Sequence, residues 1–365
     1  MLSDRRNAPP RAVVRAVERL RDMLAGVHRR LVPGRLALME MVAAGWLTQA
    51  IHAAAVLDIA GALAGGPRDG TELARAVGAD EDALRRLLRL LIGHGIFARR
   101  RDGRYALTPM AQALRADAPV SLRDAVLFYG SAAHRDHWTH LVDAVRTGAP
   151  TVDTVRGEAF FDHMRTDREL GEMFDRAMAS IDGLGQNPVL AAHDFTRYHT
   201  IIDIGGGRGA LLCEILRRAP GCTGVLFDLP EVVVDAPARL AEAGVADRCA
   251  VVAGSFFDTV PGGADAYLLK HIVHDWPAEQ AVQILRTLRG SMPPNARLLL
   301  IELVLPERDR PHPGNYIDLE MLVNTGGRER TETEYRALLA DAGFTLLSCT
   351  PTLSPENILE AVPTR

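Results

Sequence analysis

Residues 201–209 read Ile201-Ile202-Asp203-Ile204-Gly205-Gly206-Gly207-Arg208-Gly209, and the run Ala210-Leu211-Leu212-Cys213-Glu214-Ile215-Leu216 follows directly. An apolar segment of strand type enters a glycine loop and leaves as a helix. Glycine lets the main chain turn tightly and lets a ligand come close to it. The first turn of the following helix has N–H groups with no intrahelical partner, which suits an anionic or strongly polar group. Glycine spacing narrows the ligand. Dinucleotide loops carry G-x-G-x-x-G, whereas here Gly205, Gly207 and Gly209 alternate and Asp203 lies two residues ahead.

Around this loop the chain alternates strands and helices. Strands are expected at 200–204, 223–228, 249–253, 265–269, 297–304, 344–350 and 357–362. Such alternation predicts an α/β fold, a Rossmann-like, mostly parallel sheet of seven strands. The link Pro351 to Glu356 is too short for a parallel crossover, so the last strand should run antiparallel. The second strand ends in Asp228, where a carboxylate can accept both hydroxyls of a ribose. The third leads into Gly254-Ser255-Phe256-Phe257-Asp258, with Phe256 placed to cover the face of a base. The fourth leads into Lys270-His271-Ile272-Val273-His274-Asp275-Trp276, at the strand ends where open α/β sheets bind ligands. Glu302 falls inside the fifth strand, and Gly326-Gly327-Arg328-Glu329-Arg330-Thr331 comes later.

The N-terminal part has a different grammar. Residues 11–30 show amphipathic helical spacing, fitting a surface helix or one that faces a partner. Residues 38–64, rich in Ala and Leu, predict a buried helix. Thr71 is expected to cap a short helix, Glu72 to Val77, ended by Gly78. Asp80 is expected to cap a second, Glu81 to His94. Residues 96–107 then read as a hairpin turning at Asp102-Gly103. Helix, turn, helix and hairpin make a winged helix. Residues 110–195 read as helical, with Pro150, Gly157, Gly183 and Pro188 as interruptions. The expected division is 1–110 winged helix, 111–195 helical connection and 196–365 ligand-binding domain.

Composition bounds the function. The chain has 365 residues with a formal net charge of -4, which argues against a general nucleic-acid binder. Of 42 basic residues Lys270 is the only lysine, a bias of the kind GC-rich bacterial genomes impose. Cys213, Cys222, Cys249 and Cys349 form no C-x-x-C pair and fit small apolar residues in a reducing cytoplasm. No stretch has the length of a membrane span or the form of a signal peptide. No His/Asp cluster with metal-ligand spacing is visible, so no metal is expected.

The D-x-G-x-G-x-G pattern at 203–209 resembles motif I of class I S-adenosylmethionine-dependent methyltransferases. "LLKHIVHDW", "LLLIELVLP" and "MLVNTGGRERTETEY" resemble motifs of the plant-type O-methyltransferases, the caffeate and hydroxyindole type with a bacterial small-molecule branch. The likeness covers nearly the whole chain. It implies S-adenosyl-L-methionine as cofactor, a homodimer built by the N-terminal domain, and a small aromatic hydroxyl, phenol or hydroxyquinone, as acceptor. It implies His274 as general base, with Glu302 and Glu329 flanking and orienting it. Asp203, Gly205, Gly207, Asp228, Ser255, Phe256 and Lys270 would hold the cofactor. Met178, Asp275, Met321 and Asn324 would face the acceptor. Two departures stand out: Ser255-Phe256 replaces the Asp-Met usual in plants, and the stretch before Gly326 is one residue shorter.

The chemistry agrees with that assignment. A neutral imidazole, ordinary pKa near 6.5, can take a proton from a phenol of pKa about 10 as its oxygen becomes a nucleophile. A neighbouring carboxylate fixes the tautomer and stabilises the charged ring. Three other readings stay open. A relative may keep the cofactor and carry diverged chemistry such as hydroxylation. Arg85, Arg86 and Arg89 on the helix, with Arg99, Arg100, Arg101 and Arg104 on the hairpin, offer a DNA-binding face. The glycine loop also admits an NAD-dependent oxidoreductase, against its spacing.

Overall fold

The computed structural model describes residues 11–364. The chain divides into two compact units, one holding Val17–His140 and Phe161–Leu184, the other Leu141–Phe160 and Gly185 onward.

In the first unit, α1 (Arg11–Arg30) and α2 (Gly34–Val56) are followed by α3 (Ile59–Ala62), α4 (Gly70–Val77) and α5 (Glu81–Gly93). β1 (Phe97–Arg99) and β2 (Tyr105–Leu107) pair antiparallel as the expected hairpin. The winged helix is therefore present, with two local corrections. Asp69 rather than Thr71 caps α4: its carboxylate accepts from Glu72 N at 2.8 Å and Glu72 returns a bond to Asp69 N. The helix begins two residues earlier than expected, and the Thr71 hydroxyl is left to donate to Glu81 at 2.9 Å. Asp80 caps α5 as expected, through Ala83 N. The single buried helix expected over 38–64 is instead broken at Asp58, where φ is +49°, and α2 buries a stripe that includes Ala50, Ala54 and Ala55, with Leu47 and Ile51 packed beside it. A helix apolar all round can bury only one face inside one chain, so Leu38, Met39, Val42 and Trp46 stay exposed.

The chain continues through α6 (Pro109–Gln112), α7 (Arg123–Gly130), α8 (Ala132–Thr139), α9 (Leu141–Thr147), α10 (Val152–Arg156) and α11 (Phe160–Thr166) to α12 (Arg168–Ala192). Gly183 and Pro188 do not interrupt α12, which runs 25 residues with Pro188 inside it. Helix on both sides tolerates the single lost N–H.

The second unit is the α/β domain. Its strands are β3 (Thr200–Ile204), β4 (Thr223–Asp228), β5 (Cys249–Ala253), β6 (Ala266–Lys270), β7 (Arg297–Leu305), β8 (Arg330–Thr331), β9 (Phe344–Pro351) and β10 (Glu356–Pro363). The order β5-β4-β3-β6-β7-β10-β9 contains the seven expected strands, and β8 adds a two-residue pair on β7 that hydrophobic patterning does not reveal. Only β10 runs against the others, lying between β7 and β9. Helices α13 (Ala210–Arg218), α14 (Pro230–Val233), α15 (Ala236–Glu242), α16 (Ala278–Ser291), α17 (Gly314–Asn324) and α18 (Glu332–Asp341) complete it.

Strand residues alternate between two cores. Ile202, Tyr267, Leu269, Leu298 and Leu300 face α16 and α18, while Ile201, Leu268, Leu299 and Ile301 face α13 and the end of α12. Burial on both faces is what near-continuous apolar strands require. Leu300, fully buried in β7, tests this. Leu300→Ala should cost about 2–5 kcal/mol, read as a lower urea midpoint of the sheet domain. An unchanged midpoint would mean that the two-faced core does not carry the domain.

Candidate active site

β3 lies between β4 and β6, so the strand order reverses there, at the place where doubly wound sheets open a crevice. The glycine loop fills its mouth. Gly205, Gly207 and Gly209 all have positive φ, between +59° and +79°. At Gly205 a Cβ would lie 2.5 Å from Ile272 Cδ1, so the loop closes onto the segment after β6 only without a side chain. At Gly207 the same position faces open space. The Asp228 carboxylate holds the loop, accepting from Gly207 N at 2.8 Å and Leu229 N at 2.7 Å. Asp203 is 2% exposed beneath the loop. The Ser255 hydroxyl accepts from Phe257 N at 3.2 Å and shapes the turn after β5. Phe256 and Phe257 lie against Trp276, with ring centroids 6.1 and 4.7 Å away. Lys270 ends β6 with Nζ 3.5 Å from His271 Nδ1.

Beyond β6 the chain makes a one-turn 3-10 helix, Val273–Asp275, carrying His274. The residue before Ile272, His271, takes φ +53°, a left-handed conformation that turns the chain sharply. His274 Nδ1 lies 2.7 Å from Glu329 Oε1, and Nε2 lies 3.4 Å from Asp275 Oδ1. Glu302 lies on β7, fully buried, and does not bond the ring directly. Its Oε1 accepts from Val273 N at 2.9 Å and Ile272 N at 3.2 Å, so it holds the main chain that carries the ring. Burial works against a charged imidazole, but the carboxylates of Glu329, Asp275 and Glu302 outweigh it and hold His274 up at about 10. Burial pushes Asp275 up to about 6 and Glu302 to about 7, each against the pull of His274.

His274, Glu302 and Glu329 bring ligand-type atoms within 4.8 Å of one another, a cluster that spacing along the chain conceals. His274 Nδ1 and Glu329 Oε1 are engaged in the ring–carboxylate bond and Glu302 Oε1 in the two main-chain bonds, an arrangement suited to handling a proton. Three further residues build this cluster and were not legible as functional. Asp318 on α17 accepts from Glu329 N at 2.9 Å. Gly327 has no room for a side chain, since a Cβ would lie 2.0 Å from His274 O. Arg330, 3% exposed, donates to main-chain carbonyls on both sides of the cluster. A buried arginine within an arginine-rich stretch gives no signal in sequence. Met321 and Asn324 are buried on α17, in the same unit. Met178 lies on α12 within the other unit.

A switch-point crevice, a glycine loop tied to an acidic strand end, and a buried imidazole held by carboxylates define the class of S-adenosylmethionine-dependent methyltransferases. Comparison with known proteins makes the assignment specific. Residues 138–345 match the O-methyltransferase domain family, and residues 39–117 match the O-methyltransferase dimerisation domain. The phenazine O-methyltransferase PhzM of Lysobacter antibioticus is 39% identical over 332 residues, covering 91% of this chain and 97% of that one. The O-demethylpuromycin-O-methyltransferase of Streptomyces alboniger is 42% identical over 303 residues, covering 81% of this chain and 80% of that one. The crystal structure of CalO1, a methyltransferase in calicheamicin biosynthesis in its SAH-bound form, superposes with a TM-score of 0.82 at 36% identity, covering 91% of this chain and 98% of that one. The chain belongs to the O-methyltransferase family and is an S-adenosylmethionine-dependent enzyme.

The crevice suits that cofactor. The main chain is open at Gly207, an acidic residue ends β4 beside the loop, and an aromatic cluster lies next to it. Gly205→Ala places a methyl group into Ile272 at a positive φ. Calorimetric titration with S-adenosylmethionine should then show affinity reduced about 10-fold or more, since backbone strain of about 1–3 kcal/mol falls on the loop. Parental affinity would show that the loop is not the binding element.

Proposed function

We propose that this enzyme methylates a small aromatic hydroxyl, a phenol or hydroxyquinone, of bacterial secondary metabolism, with His274 as general base. The observation that carries the reading is the buried 2.7 Å contact between His274 Nδ1 and Glu329 Oε1 at the carboxyl edge of the sheet. With Nδ1 committed to Glu329, the ring's Nε2, 3.4 Å from Asp275 Oδ1, is the atom that takes the acceptor's proton once the ring is in its neutral form. The acceptor class is supported by relatives named for phenazine and O-demethylpuromycin.

When bound, S-adenosylmethionine supplies an electrophilic methyl group on sulfonium. The chain's own residues do the rest. Asp203, Gly205, Gly207 and Asp228 hold the cofactor, with Ser255, Phe256 and Lys270 beside its base. Glu329 orients the imidazole and stabilises its charged form. Glu302 fixes the main chain beneath it. Asp275, Met321 and Asn324 face the acceptor. No metal takes part. The division proposed is a winged-helix dimerisation domain over 1–110, a helical connection over 111–195 and a methyltransferase domain from 196. Dimerisation is supported by the exposed Met39, Val42 and Trp46 within the segment that matches the dimerisation domain, with the exposed Leu38 just before it. Four free cysteines support a cytoplasmic setting, and among the described residues no helix is long and apolar enough to cross a membrane. Nucleic acid is not a partner in this reading, given the net charge of -4.

The direct test is transfer of labelled methyl from S-adenosylmethionine to a panel of phenols, catechols, hydroxyquinones and phenazinols, read by mass. Label on an acceptor oxygen is expected. Label on none of them, in protein that binds the cofactor, would overturn the acceptor class. His274→Ala should lower turnover about 10²-fold or more while cofactor binding persists, and parental turnover would remove His274 as the base.

The pH dependence has a definite sign. Because its partners hold the imidazole's proton up at about 10, the base form is gained as pH rises above the ordinary histidine range. kcat/KM should therefore climb on the alkaline side of 6.5. Glu329→Gln removes the foremost of the charges that retain the proton, so the rising limb should move to lower pH as the maximum falls. A limb that stays in place would assign it to acceptor ionisation instead. Trp46→Glu should yield monomers in sedimentation velocity, and an intact dimer would place the interface elsewhere.

A further inference from the structure

Arg330 occupies an expensive place. Its side chain is 3% exposed, and among the described residues no carboxylate lies within ion-pair distance of its guanidinium. Burying a cation away from a counter-ion is costly unless its donors are well satisfied. Here the donors go to three main-chain carbonyls. Nη1 donates to Val273 O at 3.1 Å and Arg328 O at 3.2 Å, and Nη2 donates to Trp276 O at 3.3 Å. The Tyr335 ring lies on another side, its centroid 5.9 Å from the guanidinium carbon.

The identity of those carbonyls is informative. Val273 and Trp276 bracket His274 and Asp275, and Arg328 immediately precedes Glu329. One planar fork therefore grips the turn that carries the imidazole and the segment that carries its carboxylate. Arg328 N donates to His274 O at 2.8 Å between the same two segments, and Gly327 lets them close. Glu329, next to Arg330 in sequence, is left to the imidazole, because the guanidinium turns to neutral oxygens. A guanidinium bonded to Glu329 would instead compete for the oxygen that His274 uses.

We propose that Arg330 is the positioning residue of the active site: it locks the 273–276 turn onto the Glu329 segment and thereby sets the His274–Glu329 hydrogen bond. The effect on turnover rests on the reading of His274 as the base; the effect on the hydrogen bond does not. Lysine keeps the charge but is a point donor and cannot span three carbonyls in one plane.

The test uses the full chain with S-adenosylmethionine bound, as parent, Arg330→Lys and Arg330→Met. The first readout needs no acceptor. In histidine-labelled protein the Nδ1 proton of His274, assigned by its loss in His274→Gln, reports the bond to Glu329 by NMR. It should lie downfield in the parent and move upfield or vanish in both variants. The second readout is kinetic: kcat should fall about 10-fold or more, with KM for S-adenosylmethionine within about two-fold of parent. If Arg330→Met does not fold, Arg330→Lys decides alone. A parental imidazole signal in Arg330→Lys overturns the proposal, whatever happens to kcat. A shifted signal with parental kcat upholds the positioning role and removes His274 as the base.

Discussion

A short contact between an imidazole and a carboxylate, made away from water, is the constraint that the rest of this structure serves. His274 and Glu329 lie 55 positions apart in the chain and 2.7 Å apart in space. Such a pair holds its geometry only if both main-chain segments are fixed independently. β7 fixes the first through Glu302, which receives two N–H groups of the histidine turn. α17 fixes the second through Asp318, which receives Glu329 N. Arg330 joins them.

The electrostatics follow from this construction. Three carboxylates surround one imidazole in a place where burial penalises every charge, so each group shifts the others. The ring keeps its proton to higher pH than a free histidine would, and Asp275 and Glu302 lose theirs later than free acids do. The parallel sheet supplies the setting. Its strands are buried on both faces, which forces polar groups to collect at its carboxyl edge. At that edge β3, β4 and β6 deliver the glycine loop, Asp228 and the histidine segment side by side. The narrow approach of Gly205 to Ile272 shows that the cofactor crevice and the histidine segment are packed as one object.

Much of this was legible beforehand. Apolar runs of four to eight residues separated by helical stretches located all seven main strands, because sheet burial leaves a strong pattern. The loop at 205–209 and Asp228 were legible because close backbone approach demands glycine and a strand end exposes its last side chain. What failed did so for local reasons. Thr71 lost to Asp69 as a cap because the helix begins at Gly70. Pro188 did not break α12, since flanking turns supply enough bonds. The helix expected to be buried over 38–64 is exposed along its first half, because composition shows that a face is apolar and not what covers it.

Sequence alone determined the alternation of strands and helices, the winged helix, the glycine loop and the residue types able to do the chemistry, since each depends on spacing within one element. Tertiary structure alone decided which of those residues meet. Glu302 touches main chain and Glu329 touches the ring, although both are acids in apolar surroundings, because the outcome depends on register across β7 and β8. Arg330, one of 41 arginines, is the one buried among the described residues, where it reaches three carbonyls of the histidine and Glu329 segments. Contacts between distant segments leave no period in a sequence, and so the joint that holds the imidazole becomes visible only once the sheet has brought its parts together.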